Sequence, residues 1–168
     1  SDHMCFIEGA IGVPAVATIN WDDDYIHSSD DDLWQIDQTQ LQRNAFLMGA
    51  TVFTLAYATE NNVATLAGET FAQGLKRLGN DVQVAMNLLR DSSTAENDGW
   101  KDASLLIEQG VQREVRALHS INVFSSSDKN AKETIEEFVK RMKQKESDLN
   151  KDLSVLYQQL HNKSPKTK

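Results

Sequence analysis

An all-α chain, arranged as an up-down-up-down four-helix bundle with an irregular acidic N-terminal arm, follows from three observations. From residue 30 onward, apolar residues recur at three- and four-residue steps along four long segments, the spacing of a single buried helical stripe. The segments run to about 26–34 residues, or roughly 40–50 Å at 1.5 Å per residue. Matched lengths and short polar breaks make consecutive helices antiparallel neighbours. Finally, residues 16–19 (Val-Ala-Thr-Ile) are the one stretch that could be extended, and no second alternating run exists to pair with them. An isolated strand has nowhere to send its backbone hydrogen bonds.

The first segment opens at Asp30, Asp31 and Asp32, where carboxylates can cap free amides and meet the positive end of the helix dipole. Its stripe is Leu33, Ile36, Leu41, Ala45, Met48, Val52 and Leu55, and Asn61-Asn62 is the natural break. The break is tight enough to leave an alternative, an extended three-helix form in which helices one and two are continuous. Phe71, Leu75, Leu78, Val82, Ala85 or Met86, and Leu89 carry the second segment, which ends in the turn-rich residues 91–99. A third uses Trp100, Ala103, Ile107, Val111, Val115, Leu118 and Ile121. Ser125-Ser126-Ser127-Asp128 then signals a new N-terminus. The fourth is the most regular, with Ile135, Val139, Met142, Glu146, Leu149, Leu153, Leu156 and Leu160 alternating steps of four and three. Such a heptad seam marks a long helix packed at a shallow angle. Glycines 49, 68, 74, 79 and 110 lie inside these helices at about 1 kcal/mol each relative to alanine, and close helix approach is the expected compensation.

Composition bounds the function. With 168 residues the chain can bury one real core, and its single cysteine excludes a disulfide scaffold and a cysteine zinc cluster. The net charge is −8, and it is localised. Residues 1–42 hold nine acids and no Lys or Arg (−9), residues 43–128 come to −3, and residues 129–168 to +4. An acidic chain lacks the clustered basic surface that phosphate neutralisation requires. On the fourth helix, Lys140, Arg141, Lys143 and Lys145 are interleaved with Glu133, Glu136, Glu137 and Glu146 in i, i+4 pairs, a self-neutralising exposed face.

At the ends, Ser1-Asp2-His3-Met4 has the form of an expression scar, and residues 5–29 form the acidic arm. The bundle spans 30–161, and 162–168 is a lysine-rich tail expected to fray. The apolar run from Cys5 to Trp21 is too short and too broken to span a membrane. Neither cytoplasmic nor secreted localisation is indicated.

The chemical constellations fail one by one. Di-iron bundles need Glu-x-x-His pairs, but the residues three before His27, His119 and His161 are Asp24, Arg116 and Gln158. A calcium loop beginning at Asp22 would need Gly at its sixth position and Glu at its twelfth, where His27 and Leu33 stand. No nucleophile elbow, phosphate loop or dinucleotide fingerprint occurs. No metal, cofactor or catalytic residue is therefore assigned. An enzyme would need His119 brought beside a carboxylate of a neighbouring helix.

What stands out is the acidic segment. Asp22, Asp23 and Asp24 with Asp30, Asp31 and Asp32 flank Tyr25, and Trp34 follows. These eight residues are the candidate partner-binding set, because a concentrated field speeds encounter with a cationic protein. Asn122 and Glu146 are polar positions on otherwise apolar stripes, able to set register or line a small polar pocket. The expected function is a non-enzymatic helical protein-binding module for a basic partner, in the manner of an inhibitor, immunity protein, chaperone or adaptor. Two other classes are a ligand-sensing or cofactor-binding bundle, using Gly- and Ala-lined space between the first two helices, and a secretion-system or envelope-associated structural component. The fourth-helix seam can be satisfied within a monomer or across a homodimer.

Overall fold

The computed structural model describes residues 24–90 and 98–165, together with Cys5, Ala17 and Thr18. Four α-helices account for most of these residues: α1 (Gln38–Tyr57), α2 (Val63–Arg90), α3 (Asp98–Ser120) and α4 (Lys129–His161). No strand occurs among the described residues, so the all-α expectation holds. The chain divides into two compact units, Ser1–Tyr57 and Ala58–Lys168.

In the first unit the helix begins later than the acid-cap signal predicts. Asp32 Oδ1 accepts from the Leu33 amide and caps only a short 3-10 turn, Leu33–Gln35, after which Ile36 is extended. The cap of α1 is Asp37 instead, whose Oδ1 accepts from the amides of Thr39 (2.8 Å) and Gln40 (3.1 Å). A second correction concerns the α1 stripe. Leu41, Ala45, Met48, Val52 and Leu55 have the predicted spacing, yet none of the helix's residues is buried. Between α1 and α2 the backbone leaves the helix, and a 3-10 turn, Glu60–Asn62, follows Thr59. Asn62 Oδ1 accepts from the Thr59 amide at 3.0 Å. Helices one and two are therefore distinct, and the continuous-helix alternative is set aside.

In the second unit α2, α3 and α4 pack on one another, and two apolar clusters form the core. One joins Val63, Ala67 and Leu78 of α2 to Val111 and Leu118 of α3 and to Ala131, Ile135, Val139 and Met142 of α4. The other joins Ala85 and Leu89 to Ala103, Ile107, Leu153 and Tyr157. The first half of α2 thus meets the second half of α3 and the first half of α4, so α3 runs opposite to both neighbours. Beyond α3 a 3-10 turn, Ile121–Phe124, carries the chain to Asp128, whose carboxylate accepts from Asn130 (2.7 Å) and Ala131 (3.1 Å). That is the predicted N-terminus of α4. Its far end closes on Asn162 in the left-handed conformation (φ 51°), with the Asn162 amide donating to Gln158 O. Asparagine tolerates this conformation better than most residues.

Along α4 the predicted seam is buried at Ile135, Val139, Met142 and Leu153, but its last position shifts. Leu160 is exposed and Tyr157 is buried against Trp100, ring centroids 5.8 Å apart. A straight helix drifts about 20° per heptad relative to a strict seven-residue repeat. After three repeats Leu156 has turned partly outward, and its neighbour Tyr157 takes the core-facing place. Past the helix, Gln158 Nε2 lies 3.0 Å from Ser164 Oγ, so the described part of the tail returns along α4.

The helical glycines separate into two kinds. A Cβ on Gly74 would come within 3.0 Å of Glu114 Oε2 and Met142 Cε, and one on Gly110 within 2.7 Å of Asp81 Oδ2 and 3.0 Å of Leu78 Cδ2. Close approach accounts for both. At Gly79, exposed on α2, a Cβ would meet nothing within 4 Å. Gly79→Ala is therefore expected to raise the stability of the bundle by about 0.5–1 kcal/mol, through backbone entropy alone. Gly110→Ala must displace Asp81 from its ion pair and is expected to lower it. Urea melts of the two variants check both signs.

Candidate functional site

Two places gather polar chemistry, one in each unit. In the first unit, residues 24–37 fold into consecutive turns through local hydrogen bonds. Ser28 Oγ donates to Tyr25 O at 2.6 Å and accepts from the Asp30 amide at 3.2 Å, while His27 occupies the left-handed region at φ 64°. Gln35 Nε2 donates to Asp30 O at 3.1 Å, tying the far end of the turn back to its start. The effect is to bring Tyr25 edge-on to Trp34, with ring centroids 5.8 Å apart.

Trp34 is the more open of the two, Tyr25 being 41% exposed. Trp34 is 70% exposed and Leu33 80%, and Ile26 and Ile36 add further apolar surface. In the same segment Asp24, Asp30, Asp31, Asp32 and Asp37 are all exposed. Of the eight sequence-predicted partner-binding residues, the structure brings Tyr25 and Trp34 into contact and leaves Asp24, Asp30, Asp31 and Asp32 exposed in the same segment. Asp22 and Asp23 lie outside the described residues. Sequence reasoning named the acids and the two aromatic residues but not Ile26, Leu33 and Ile36, since the last two had been placed on a helical stripe facing inward.

The second unit holds a buried carboxylate that the sequence did not single out. Glu114 on α3 is 1% exposed. Arg77 of α2 binds it in bidentate fashion, Nε donating to Oε1 (2.9 Å) and Nη2 to Oε2, and Arg113 Nε donates to Oε1 at 2.7 Å. Arg113 Nη2 also donates to Asp81 Oδ2 at 2.9 Å. The Arg77 guanidinium, followed by that of Arg113, holds the Glu114 carboxyl below its ordinary pKa against the opposing effect of burial. Hydrogen bonds to Glu114 hold both guanidiniums above theirs. Two positive and two negative groups thus neutralise one another between α2 and α3. The available signal was indirect: Gly74 and Gly110 leave the space that the Glu114 and Asp81 carboxylates fill. Side chains occupy these close approaches, so the two glycines open no crevice for a ligand.

The remaining polar candidates are at the surface. Asn122, expected on an apolar stripe, is exposed because the helix gives way to a 3-10 turn after Ser120, and its carbonyl accepts from the Ser125 amide and hydroxyl. Glu146 is half-buried and borders a groove of about 330 Å³ with Val111, Gln112, Val115, Arg116 and Lys143. It is a seam-edge residue that reaches water. His119 Nδ1 lies 3.6 Å from Glu136 Oε1, so a carboxylate does stand beside it, but the two side chains are 42% and 62% exposed. On the outer face of α4, Arg141 Nε donates to Glu137 Oε1 at 2.9 Å, one of the predicted i, i+4 pairs.

Among the described residues no group of three or more His, Cys, Asp or Glu side chains is placed to hold a metal ion. No helix among them is long and apolar enough to cross a membrane. No family model matches the chain, and comparison with curated proteins and with solved structures likewise finds no match.

Proposed function

We propose that the chain is a non-enzymatic helical protein-binding module that docks a basic partner through residues 24–37. The observation that carries this reading is the Tyr25–Trp34 contact, with Trp34 70% exposed, in a segment that also carries five exposed aspartates. Aromatic anchors supply most of the energy at protein interfaces, and a polar rim around them excludes water and sets specificity. Here the rim carries one sign only. It would steer a cationic surface in at long range and repel an anionic one, including nucleic acid and anionic lipid. The Tyr25–Trp34 contact holds the anchor in shape before the partner arrives, which reduces the ordering cost of binding.

An inhibitor, immunity, chaperone or adaptor role is compatible with such a surface, because each masks or escorts a partner. The test removes charge while keeping shape. Asn serves as well as Asp at an N-cap, so Asp30→Asn/Asp31→Asn/Asp32→Asn retains the turn that Asp32 caps. Affinity capture from the source cells, followed by measurement of the purified complex, should give a basic partner. The triple variant should bind it at least tenfold more weakly (about 1.4 kcal/mol), and Trp34→Ala should do the same. A partner held equally well by all three proteins contradicts the proposal.

A further inference from the structure

Among the described residues of the first unit, α1 holds the longest run of apolar surface, and no acidic docking explains it. Residues 44–59 contain no charged side chain, and Arg43 is the sole charge within α1. Leu41, Phe46, Leu47, Met48, Val52, Phe53, Leu55 and Tyr57 are 40–73% exposed. At 100° per residue all but Leu47, which lies between them, fall into two faces on different sides of the helix. Leu41, Met48, Val52 and Leu55, with Ala45 between, form an aliphatic seam of steps four and three, whereas Phe46, Phe53 and Tyr57 form an aromatic face. The rings of Phe53 and Tyr57 are 4.5 Å apart. Two threonine hydroxyls within the run are satisfied by their own helix, Thr51 Oγ1 donating to Leu47 O and Thr54 Oγ1 to Ala50 O, each at 2.8 Å.

From these features we infer that α1 is a self-association helix, covered in solution by α1 of at least one further copy of this chain. Its seam is the pattern by which one helix packs against another, knobs into holes. The eight side chains expose on the order of 1,000 Å² per copy, shared between the two faces, so one partner helix on the aliphatic seam covers roughly half of it, and reaching the roughly 800 Å² that each partner contributes to a standard stable interface takes a second copy on the aromatic face. An uncharged helix pairs with its own copy without like-charge repulsion. A lipid surface is the poorer occupant. Interfacial helices carry basic residues towards anionic headgroups, whereas α1 is preceded by Asp24, Asp30, Asp31, Asp32 and Asp37.

The same aspartates fix the orientation. Parallel helices would bring two acidic segments side by side, and antiparallel helices place them at opposite ends, about 30 Å apart for a helix of this length. Because the contact is apolar and the residual repulsion is screened by salt, self-association should persist or strengthen as ionic strength rises. Docking of a basic partner should weaken, so the two surfaces are separable by experiment.

Sedimentation equilibrium of the full chain at low and high salt is the test. The expected mass is a multiple of 18.8 kDa, retained at high salt, and Val52→Glu/Phe53→Glu should reduce it to that of one chain. Far-ultraviolet circular dichroism verifies that α2–α4 remain folded. Independently of that variant, chains carrying Leu41→Cys and chains carrying Leu55→Cys, both with Cys5→Ser, should cross-link to each other more readily than either does to itself. A single-chain mass at all concentrations overturns the inference, as does an unchanged mass in Val52→Glu/Phe53→Glu. Flotation of a single-chain species with phosphatidylcholine vesicles would overturn it in favour of lipid.

Discussion

Replacing Arg77 and Arg113 together by methionine is expected to destabilise the second unit by about 3–5 kcal/mol, the cost of leaving a buried carboxylate without its partners. Glu114 is 1% exposed, whereas the two arginines are about half exposed. The cost therefore falls on the carboxylate and not on the guanidiniums, which reach water when unpaired. Glu114→Gln should accordingly be much the milder change. The pH dependence follows from the direction of the shift. Glu114 is held below its ordinary pKa, so its contribution is fully present above the unfolded-state value and is lost as pH falls through the depressed folded-state value. In the double variant, burial without a counter-charge pushes the same group upward instead. Its penalty is then relieved on acidification. The stability gap between wild type and variant should be widest near neutral pH and narrow as pH falls, which urea denaturation across that range measures directly.

Leu118→Ala is expected to cost about 2–5 kcal/mol, the range for removing a fully buried aliphatic side chain whose surroundings cannot collapse. Leu118 is 0% exposed and lies in the cluster where α2, α3 and α4 meet. The corresponding truncation on the other unit, Leu55→Ala on half-exposed α1, should leave the melting of α2–α4 unchanged. Thermal denaturation of both variants at low protein concentration makes the comparison. A similar loss in both would contradict the assignment of the core to α2, α3 and α4.

These expectations rest on features of unequal visibility in the sequence. The stripes of α2, α3 and α4 were legible, apart from Leu75, which is exposed, because helical periodicity reports a buried face directly, and Asp128 announced the start of α4. The α1 stripe was equally regular, yet its side chains are exposed. Periodicity records that a helix has a face to cover, without recording what covers it. Asn122 and Leu156 depart from their stripes for geometric reasons, one by a change from α to 3-10 pitch and the other by drift of the heptad, which puts Tyr157 in its place.

Glu114 was missed for a different reason. On a stripe flanked by Val111, Val115 and Leu118, a single glutamate is indistinguishable from an edge residue until its two arginines are seen, one of them 37 positions away. At the candidate docking surface the acids were plain in the sequence. The contact between Tyr25 and Trp34 was not, because it depends on the turn closed by Ser28 and Gln35.

The reading of the first unit as an acidic docking surface is tested most directly by the ionic-strength dependence of the partner complex. A contact built on the aspartates of residues 24–37 predicts that the dissociation constant rises steeply with salt for the wild-type chain. In Asp30→Asn/Asp31→Asn/Asp32→Asn the slope should be markedly shallower. Equal slopes for the two proteins would show that the partner is held elsewhere, and the proposed docking surface would be wrong.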